Sequence, residues 1–540
     1  MKILTAAEMR DIDRRTTEEC GVPSLTLMEN AGARVVEALL ERFPDAGRRR
    51  IVVLCGKGNN GGDGLVAARL LKERGASPEV FLFAPAEKVR GDAAVNLGRW
   101  RKAGGEVTEV TSVDAWPDVL PRLAAAEIVI DALLGTGLTG PADGWLREVI
   151  DRVNATCANA FVLAVDIPSG LPSDSGAVAG PYVRADATVT FTAPKRSHVL
   201  PPACHLMGVW RVVDIGTPKE LMERDSNLKT HLLTPADFRS LPLVRQPGAH
   251  KGDFGHALIV AGSRGKTGAA VLAAMGALRA GVGLATVATP IGVQPVVAAG
   301  LPEVMTEPLE GTEVDTISLG SLEYGRFREI AAGKSVMAIG PGLSTHAATQ
   351  QFVRTVVSEV ELPIILDADG LNAYVGRADE LKNRRAKLLA LTPHPGEMAR
   401  LLGLTTQDVQ SRRLETALEA AARWSAIVIL KGEKTVVATP DGRAWVNPTG
   451  NPGMASGGTG DVLTGILAGL TGALGTTAWE VVLGMGVYLH GLAGDLAAAH
   501  VGQAPLIASD LVGHIPAAYR QILVGAGIQA APVSSVHGPA

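Results

Sequence analysis

Two glycine-rich loops stand near opposite ends of the chain, Gly56-Lys57-Gly58-Asn59-Asn60-Gly61-Gly62-Asp63-Gly64 and Asn451-Pro452-Gly453-Met454-Ala455-Ser456-Gly457-Gly458-Thr459-Gly460-Asp461. Each opens a helix-like run, so its backbone N–H groups converge at a helix N-terminus, where an anion can be held. Such a loop also restricts the architecture, because strand, tight turn and helix form the repeating unit of a parallel sheet covered on both faces. Two of them, about 400 residues apart, predict two sites on two α/β units.

Short β-branched runs carry the same rhythm through the chain. Ile51–Leu54, Val80–Phe83, Ile128–Ile130, Phe161–Val165, Thr188–Phe191 and Trp210–Val213 alternate with helix-length stretches. A second series comprises Ala257–Val260, Ala285–Ala288, Val336–Ile339, Ile364–Leu366, Leu388–Leu391, Ile427–Leu430 and Thr435–Ala438. It closes with helices from Asp461 and from Trp479 to His500. Between the series, Thr217-Pro218-Lys219-Glu220 and Asp225-Ser226-Asn227 lose strand character. The expected division is a first domain over 1–217, a linker over 218–230, a second domain over 231–525 and a disordered tail over 526–540. At 540 residues the chain is too long for a comfortable single core, and no internal repeat relates the halves.

Charge and cysteine usage narrow the function classes. With 51 basic and 55 acidic residues the net charge is −4, which gives no electrostatic footprint for a nucleic-acid partner. Cys20, Cys55, Cys157 and Cys204 lie far apart without a C-x-x-C pair, so a reducing, cytoplasmic setting is expected. Thr5 and Glu8 read as a helix capping box, not as part of a signal peptide. The apolar stretch Thr267–Thr289 is interrupted by Arg279 and reads as a buried helix followed by a strand, so no membrane partner is expected. Small-residue helices such as Leu463–Leu474 suit packing within a monomer or between subunits, which leaves a homo-oligomer open.

Gly56-x-Gly58-x-x-Gly61 matches the dinucleotide fingerprint and predicts a Rossmann-like first domain. The next strand, however, ends Phe81-Leu82-Phe83-Ala84-Pro85, without the acidic residue that would hold a ribose. Asn59, Asn60 and Asp63 instead add side-chain oxygens to the loop. Two further strand ends, at Asp131 and at Asp166-Ile167-Pro168-Ser169-Gly170, converge on the same crevice in such a sheet. Oxygen donors gathered in this way suit a hard cation as well as a ligand.

Together, Gly58–Gly64, Asp131-Ala132-Leu133-Leu134-Gly135-Thr136-Gly137 and Asp166–Gly170 resemble the NAD(P)H-hydrate epimerase (YjeF N-terminal) family. The resemblance implies that Asn59, Asn60, Gly61, Gly62 and Asp63, with Gly135, Thr136, Gly137, Leu138, Thr139, Gly140, Pro141 and Asp166, bind a hydrated nicotinamide nucleotide. It further implies a potassium ion on Asn60, Asp131 and Ser169. Inverting the C6 centre of such a hydrate calls for a proton shuttle during ring opening or hydroxide exchange, a role that the Asp166 carboxylate could fill.

In the second domain, Ala261-Gly262-Ser263-Arg264-Gly265-Lys266-Thr267 fails the P-loop spacing, because Val260 stands where the first glycine belongs. It reads as a strand-to-helix turn. Gly457-Gly458-Thr459-Gly460-Asp461 is the stronger signal: amide donors at a helix mouth for charge on a phosphoryl oxygen, with Asp461 as a base. With Lys431-Gly432-Glu433-Lys434-Thr435 and Asn447-Pro448 it resembles the ribokinase-like superfamily. Thr392-Pro393-His394-Pro395-Gly396-Glu397, Asp367-Ala368-Asp369-Gly370 and Gly340-Pro341-Gly342 narrow that to a resemblance to the ADP/ATP-dependent NAD(P)H-hydrate dehydratase family. This implies Ala269, Gly342, His394 and Asp461 facing the hydrate. Lys431, Gly432, Glu433, Lys434, Thr435 and Gly460 would face ADP or ATP, which brings magnesium with it. Ser344 and Ser456 depart from the expected glycine and threonine. Alternatives are a small-molecule kinase fused to a Rossmann-like module and a non-catalytic nucleotide sensor.

Overall fold

The structure is a computed structural model that describes residues 1–528 except Thr139. Thr139 and residues 529–540 of the expected tail lie outside that description. The chain divides into two compact units, Met1–Thr230 and the segment from His231 onward.

The first unit is built on seven strands: β1 (Ile51–Cys55), β2 (Glu79–Leu82), β3 (Val107–Glu109), β4 (Ile128–Ala132), β5 (Phe161–Val165), β6 (Ala187–Phe191) and β7 (Val209–Val213). Their order is β3-β2-β1-β4-β5-β6-β7, and every neighbouring pair is parallel. All five residues of β1 and of β4 are buried, as continuous apolar runs must be when helices cover both faces. One face packs on α2 (Ser24–Arg42) and α3 (Asn59–Glu73) through Val35, Leu39, Leu65 and Leu71. The other face packs through Trp116, Val149 and Val153. The strand order reverses between β1 and β4, so the loops after these strands open onto one crevice.

Gly56 makes that crevice possible. A β-carbon there would overlap the Leu133 carbonyl, so any side chain would push the loops after β1 and β4 apart. Gly56→Ala is therefore expected to destabilise the first unit by about 1–3 kcal/mol, the usual cost of overpacking. Thermal unfolding checks this, and an unchanged midpoint would show that the loops separate freely.

The second unit holds β8 (Thr230–Leu232), β9 (His256–Val260), β10 (Leu284–Pro290), β11 (Met305–Leu309), β12 (Val336–Ile339), β13 (Ile364–Leu366), β14 (Leu389–Leu391), β15 (Ile427–Leu430), β16 (Val436–Ala438) and β17 (Ala444–Val446). The order is β11-β10-β9-β12-β13-β14-β15-β16-β17-β8. Pairing is parallel from β11 to β15 and antiparallel from β15 to β17. Its reversal lies between β9 and β12.

The Thr267–Thr289 stretch forms the helix Thr267–Ala280, ended by Gly281 in a left-handed conformation, and then β10. That helix lies against the helix Thr459–Ala473, where a β-carbon on Gly465 would collide with the Ala273 carbonyl. Small residues here bring two helices of one unit together. The helix Trp479–Val501 is long and apolar enough to cross a membrane by length and composition. It is a core element: Val482, Leu483, Leu489 and Ala493 join one cluster with Leu511 and Ile515 of the helix Ala508–Gly525. Ala526 N–H caps the latter helix by donating to Ile522 O, and Ile528 packs on the same core, so residues 526–528 continue the fold. The segment expected as a linker contains the helix Lys219–Glu223, and β8 begins at its last residue.

Candidate active sites

In the first unit α3 starts at Asn59 directly after Gly58, which puts Asn59, Asn60 and Asp63 in its opening turns beside the ends of β4 and β5. A cavity of about 490 Å³ is lined there by Asn59, Asn60, Asp63, Gly135, Thr136, Gly137 and Asp166, with Lys195 and, from α1 (Ala6–Glu18), Asp13. Gly61 and Gly62 are buried in α3, and Leu138, Gly140 and Pro141 lie beyond the lining.

Asp166 follows β5 with φ 67°, a left-handed conformation that is uncommon for any residue but glycine. Its Oδ1 accepts from Lys195 Nζ at 2.6 Å and from Thr190 Oγ1 at 2.9 Å. A β-carbon on Gly135 would lie 3.0 Å from Asp166 Oδ2 and 3.1 Å from Asn60 Oδ1, which fixes how closely these groups meet. Burial pushes the Asp166 carboxyl up, but the charge and hydrogen bond of Lys195 outweigh it and hold the group below the usual carboxylate range. Asp63 goes the other way: burial and the charges of Asp166 and Asp13 raise it well above that range. His198, whose Nε2 lies 3.0 Å from Asp166 O, is lowered to about 4 by burial and by Lys195, and so is neutral near pH 7.

Asp131 and Ser169 are buried and lie outside the cavity lining, joined to it through Leu134. Ser169 donates its N–H to Asp131 Oδ2 at 2.8 Å and its hydroxyl to Asp131 Oδ1 at 2.6 Å, while Leu134 N–H donates to Ser169 Oγ at 2.8 Å. Asp131 is fully buried, and burial raises it to about 6 against its hydrogen bonds from Ser169 and Leu133, with no cation beside it among the described residues. A buried carboxylate without a positive neighbour among the described residues, next to the Ser169 hydroxyl, is a donor set that fits a hard monovalent cation.

The second site gathers at the mouth of the Thr459–Ala473 helix. Gly458 caps it with φ 91°, and Asp461 lies in its first turn. Asp461 makes no hydrogen bond or ion pair among the described residues. Burial and then Asp367 raise it to about 6, with Lys431 opposing. Lys431 Nζ donates to Asp367 Oδ1 at 2.6 Å and lies 3.8 Å from Glu397 Oε2; Thr464 Oγ1 donates to Asp367 Oδ2 at 2.6 Å. A β-carbon on Gly460 would sit 3.6 Å from Lys431 Nζ, so the ammonium lies directly behind the helix mouth. His490 Nε2 is 2.9 Å from Thr459 O and braces the same turn. His394 caps the helix Pro395–Leu402, its Nδ1 accepting from Gly396 N–H at 3.0 Å, and stays half exposed. Gly342 lies against Ala269, where a β-carbon would be 3.1 Å from the Ala269 side chain.

Residues 24–197 match the family described as YjeF-related protein N-terminus, and residues 257–516 match the family described as NAD(P)H-hydrate dehydratase. The bifunctional NAD(P)H-hydrate repair enzyme of Moorella thermoacetica is 45% identical over 523 residues, covering 97% of each chain. The chain belongs to this repair-enzyme family. The Escherichia coli relative of the same name is 34% identical over 510 residues, covering 94% of this chain and 92% of that one. A crystal structure of ADP/ATP-dependent NAD(P)H-hydrate dehydratase from Bacillus subtilis, co-crystallised with ATP and magnesium, is 33% identical. It covers 54% of this chain and 98% of that one, with a TM-score of 0.46.

Membership in the repair-enzyme family does not by itself reveal the groups that complete the two sites. Lys195, Asp13 and the Asp367–Lys431 pair were not singled out from the sequence. Lys195 follows β6 in Thr192-Ala193-Pro194-Lys195, so a cation just beyond a strand end at the crevice was the available signal. Asp13 had none, since it sits on a helix outside the matched segment. Ser344, where glycine was expected, adopts φ 80° and donates its N–H to Asp369 Oδ2 at 2.8 Å, so the backbone keeps a glycine-like turn without glycine.

Proposed function

We propose that the chain carries out two consecutive repair steps on hydrated NADH or NADPH: epimerisation at C6 in the first unit, then dehydration of the S epimer with ADP or ATP in the second. The observation that carries this reading is the intact pairing of the two sites in one chain, aligned over nearly its whole length with named repair enzymes.

In the second site the problem is a hydroxyl on C6, a poor leaving group. Asp461, unpartnered at the helix mouth, takes the hydroxyl proton as the oxygen attacks the terminal phosphorus of the nucleotide. The amides of Gly457–Gly460, with Lys431 behind them, face the charge that develops on the phosphoryl oxygens. AMP or ADP leaves. The ring nitrogen lone pair then expels phosphate, and loss of a C5 proton restores the C5–C6 double bond. Ala269, Gly342 and His394 line the hydrate side, and the Lys431–Thr435 loop lines the nucleotide side. Magnesium enters with the nucleotide phosphates.

Phosphoryl transfer in line serves one face of C6, so the R epimer accumulates unless it is converted. In the first site Asp166, kept ionised by Lys195, is the base near C6. Potassium held by Asn60, Asp131 and Ser169 would neutralise the buried Asp131 carboxylate and order the loop. Replacing potassium with lithium is expected to abolish epimerisation at an unchanged unfolding temperature; indifference to the ion would remove this assignment. The four free thiols suit a reducing cytoplasm.

The test supplies mixed C6 epimers of NADH hydrate with ADP or ATP and follows recovery of the dihydronicotinamide absorbance. Complete recovery is expected, with one phosphate released per turnover. No recovery with either nucleotide, or a stable phosphorylated hydrate as product, would overturn the reading.

A further inference from the structure

Epimerisation at C6 needs an acid as well as a base, and the first unit supplies a candidate from outside the glycine-rich loop. α1 is fastened to the segment that carries Lys195. Leu4 pairs with Lys195 in a parallel bridge and donates its N–H to Pro194 O at 3.0 Å, while Ala6 N–H donates to Asp174 Oδ1 at 2.6 Å. Arg15 pairs with Asp225 at 2.6 Å, and Leu4, Met9 and Ile12 pack with Ala193 and Leu228. The helix starts at a Thr5–Glu8 capping box, so its rotation about its own axis is set.

That rotation turns Met9, Asp13 and Thr17, spaced four apart, toward the cavity that holds Asp166. The other acidic side chains of α1 are engaged: Glu8 accepts from Thr5 N–H, and Asp11 and Glu18 pair with Arg14. Asp13 makes no side-chain hydrogen bond or ion pair among the described residues, although it is half-buried. An unpartnered carboxyl placed in a cavity beside a carboxylate that is already paired is the arrangement of an acid and a base with separate environments.

Resting on the epimerase reading of this site, we propose that Asp13 is its second catalytic carboxyl, the acid that works against Asp166 as base. Asp166 takes the proton of the C6 hydroxyl, and the O–H electron pair becomes the second bond of a C6 aldehyde. The C6–N1 bond breaks, and its electron pair stays on N1, which takes the proton of Asp13. After rotation about C5–C6, N1 adds to the opposite face of the aldehyde, Asp166 returns its proton to the oxygen, and Asp13 recovers the proton from N1. Nothing is consumed.

The groups that face Asp13 are Asp63 on α3, Asp166 beyond β5, Lys195 beyond β6, Asp92 across the cavity, and Arg10 and Arg14 on its own helix. Burial, opposed by Lys195 and helped by Asp166, raises Asp13 to about 6, whereas Asp166 lies below the usual range. The protonation states required of acid and base therefore coexist between these two values.

The experiment follows conversion of purified R hydrate of NADH to the S form by chromatography, on the full chain without ADP. Asp13→Asn is expected to lower kcat for epimerisation about 10²–10⁴-fold with KM unchanged, and Asp13→Glu to restore part of it. The wild-type rate falls as pH rises through about 6, and the variant loses this falling limb. Wild-type kcat in Asp13→Asn, a raised KM at unchanged kcat, or a falling limb that persists in the variant would overturn the proposal. The last result would assign the limb to Asp63. If Asp13→Asn fails to fold, the wild-type pH profile and Asp13→Glu decide. A wild-type chain that does not interconvert the epimers refutes the epimerase reading itself; full activity in Asp166→Asn refutes only its base.

Discussion

Asp461→Asn is expected to slow dehydration of the S hydrate about 10²–10⁴-fold at saturating ADP, with nucleotide affinity retained. The base is lost while the glycine amides and Lys431 remain, so substrates bind but the hydroxyl keeps its proton. In the wild type the rate rises with pH through about 6, because Asp461 acts when ionised and burial beside Asp367 delays its ionisation to that range. The same geometry has a stability consequence. A folded value of about 6 against the ordinary 3.8 of an aspartate means that the folded state resists ionisation. The associated stability is fully present below the unfolded value and is lost as pH rises through about 6. At neutral pH the charged group costs on the order of 2–3 kcal/mol, reduced by solvent at the open mouth. Asparagine removes that cost, so the inactive variant is expected to unfold at a higher temperature than wild type at pH 7.5 and at the same temperature near pH 4. Near-normal turnover in the variant, or a lower unfolding temperature at pH 7.5, would show that Asp461 is not a strained base.

The central parallel strands of both sheets were legible because they are buried on both faces and therefore read as uninterrupted apolar runs, as in Ile51-Val52-Val53-Leu54-Cys55. Four strands were not. β3 is two half-exposed residues and an exposed one at a sheet edge, and β8 is Thr-His-Leu in a polar stretch. β11 contains Pro308, which is tolerated because the strand is an edge. β17 is held by its antiparallel neighbour and not by its own pattern. The sites divide in the same way. Glycines and carboxylates at strand ends announce themselves, because local backbone geometry demands them. Asp13 and Lys195 are brought to the first cavity by tertiary packing, through the Leu4–Lys195 bridge, and no spacing in the sequence encodes that. Lys431 was read as a nucleotide contact, yet its ion pair with Asp367 becomes visible only when the ends of β13 and β15 are placed near each other.

Lys195→Met has the second large expected effect, on both fold and chemistry. Lys195 is 1% exposed and its ammonium is 2.6 Å from Asp166 Oδ1, so the variant leaves a buried carboxylate without its cation. Breaking a buried pair from one side costs about 3–5 kcal/mol. Epimerisation is expected to fail as well, since without Lys195 the Thr190 hydrogen bond is left to oppose burial and the Asp166 carboxyl shifts upward. The pH dependence changes sign. In the wild type the depressed Asp166 value contributes stability that is present above the unfolded value and lost as pH falls through the folded one. In the variant the raised value makes stability fall as pH increases, which unfolding curves at pH 5 and pH 8 resolve. Lys195→Met combined with Asp166→Leu removes both charges and is expected to regain most of the lost stability, because well-packed apolar side chains replace a buried pair at little cost. That double variant should nevertheless be inactive as an epimerase. If it regained the rate together with the stability, the pair would be a structural clasp; if it remained as unstable as the single variant, the orphaned carboxylate would not be what Lys195 compensates.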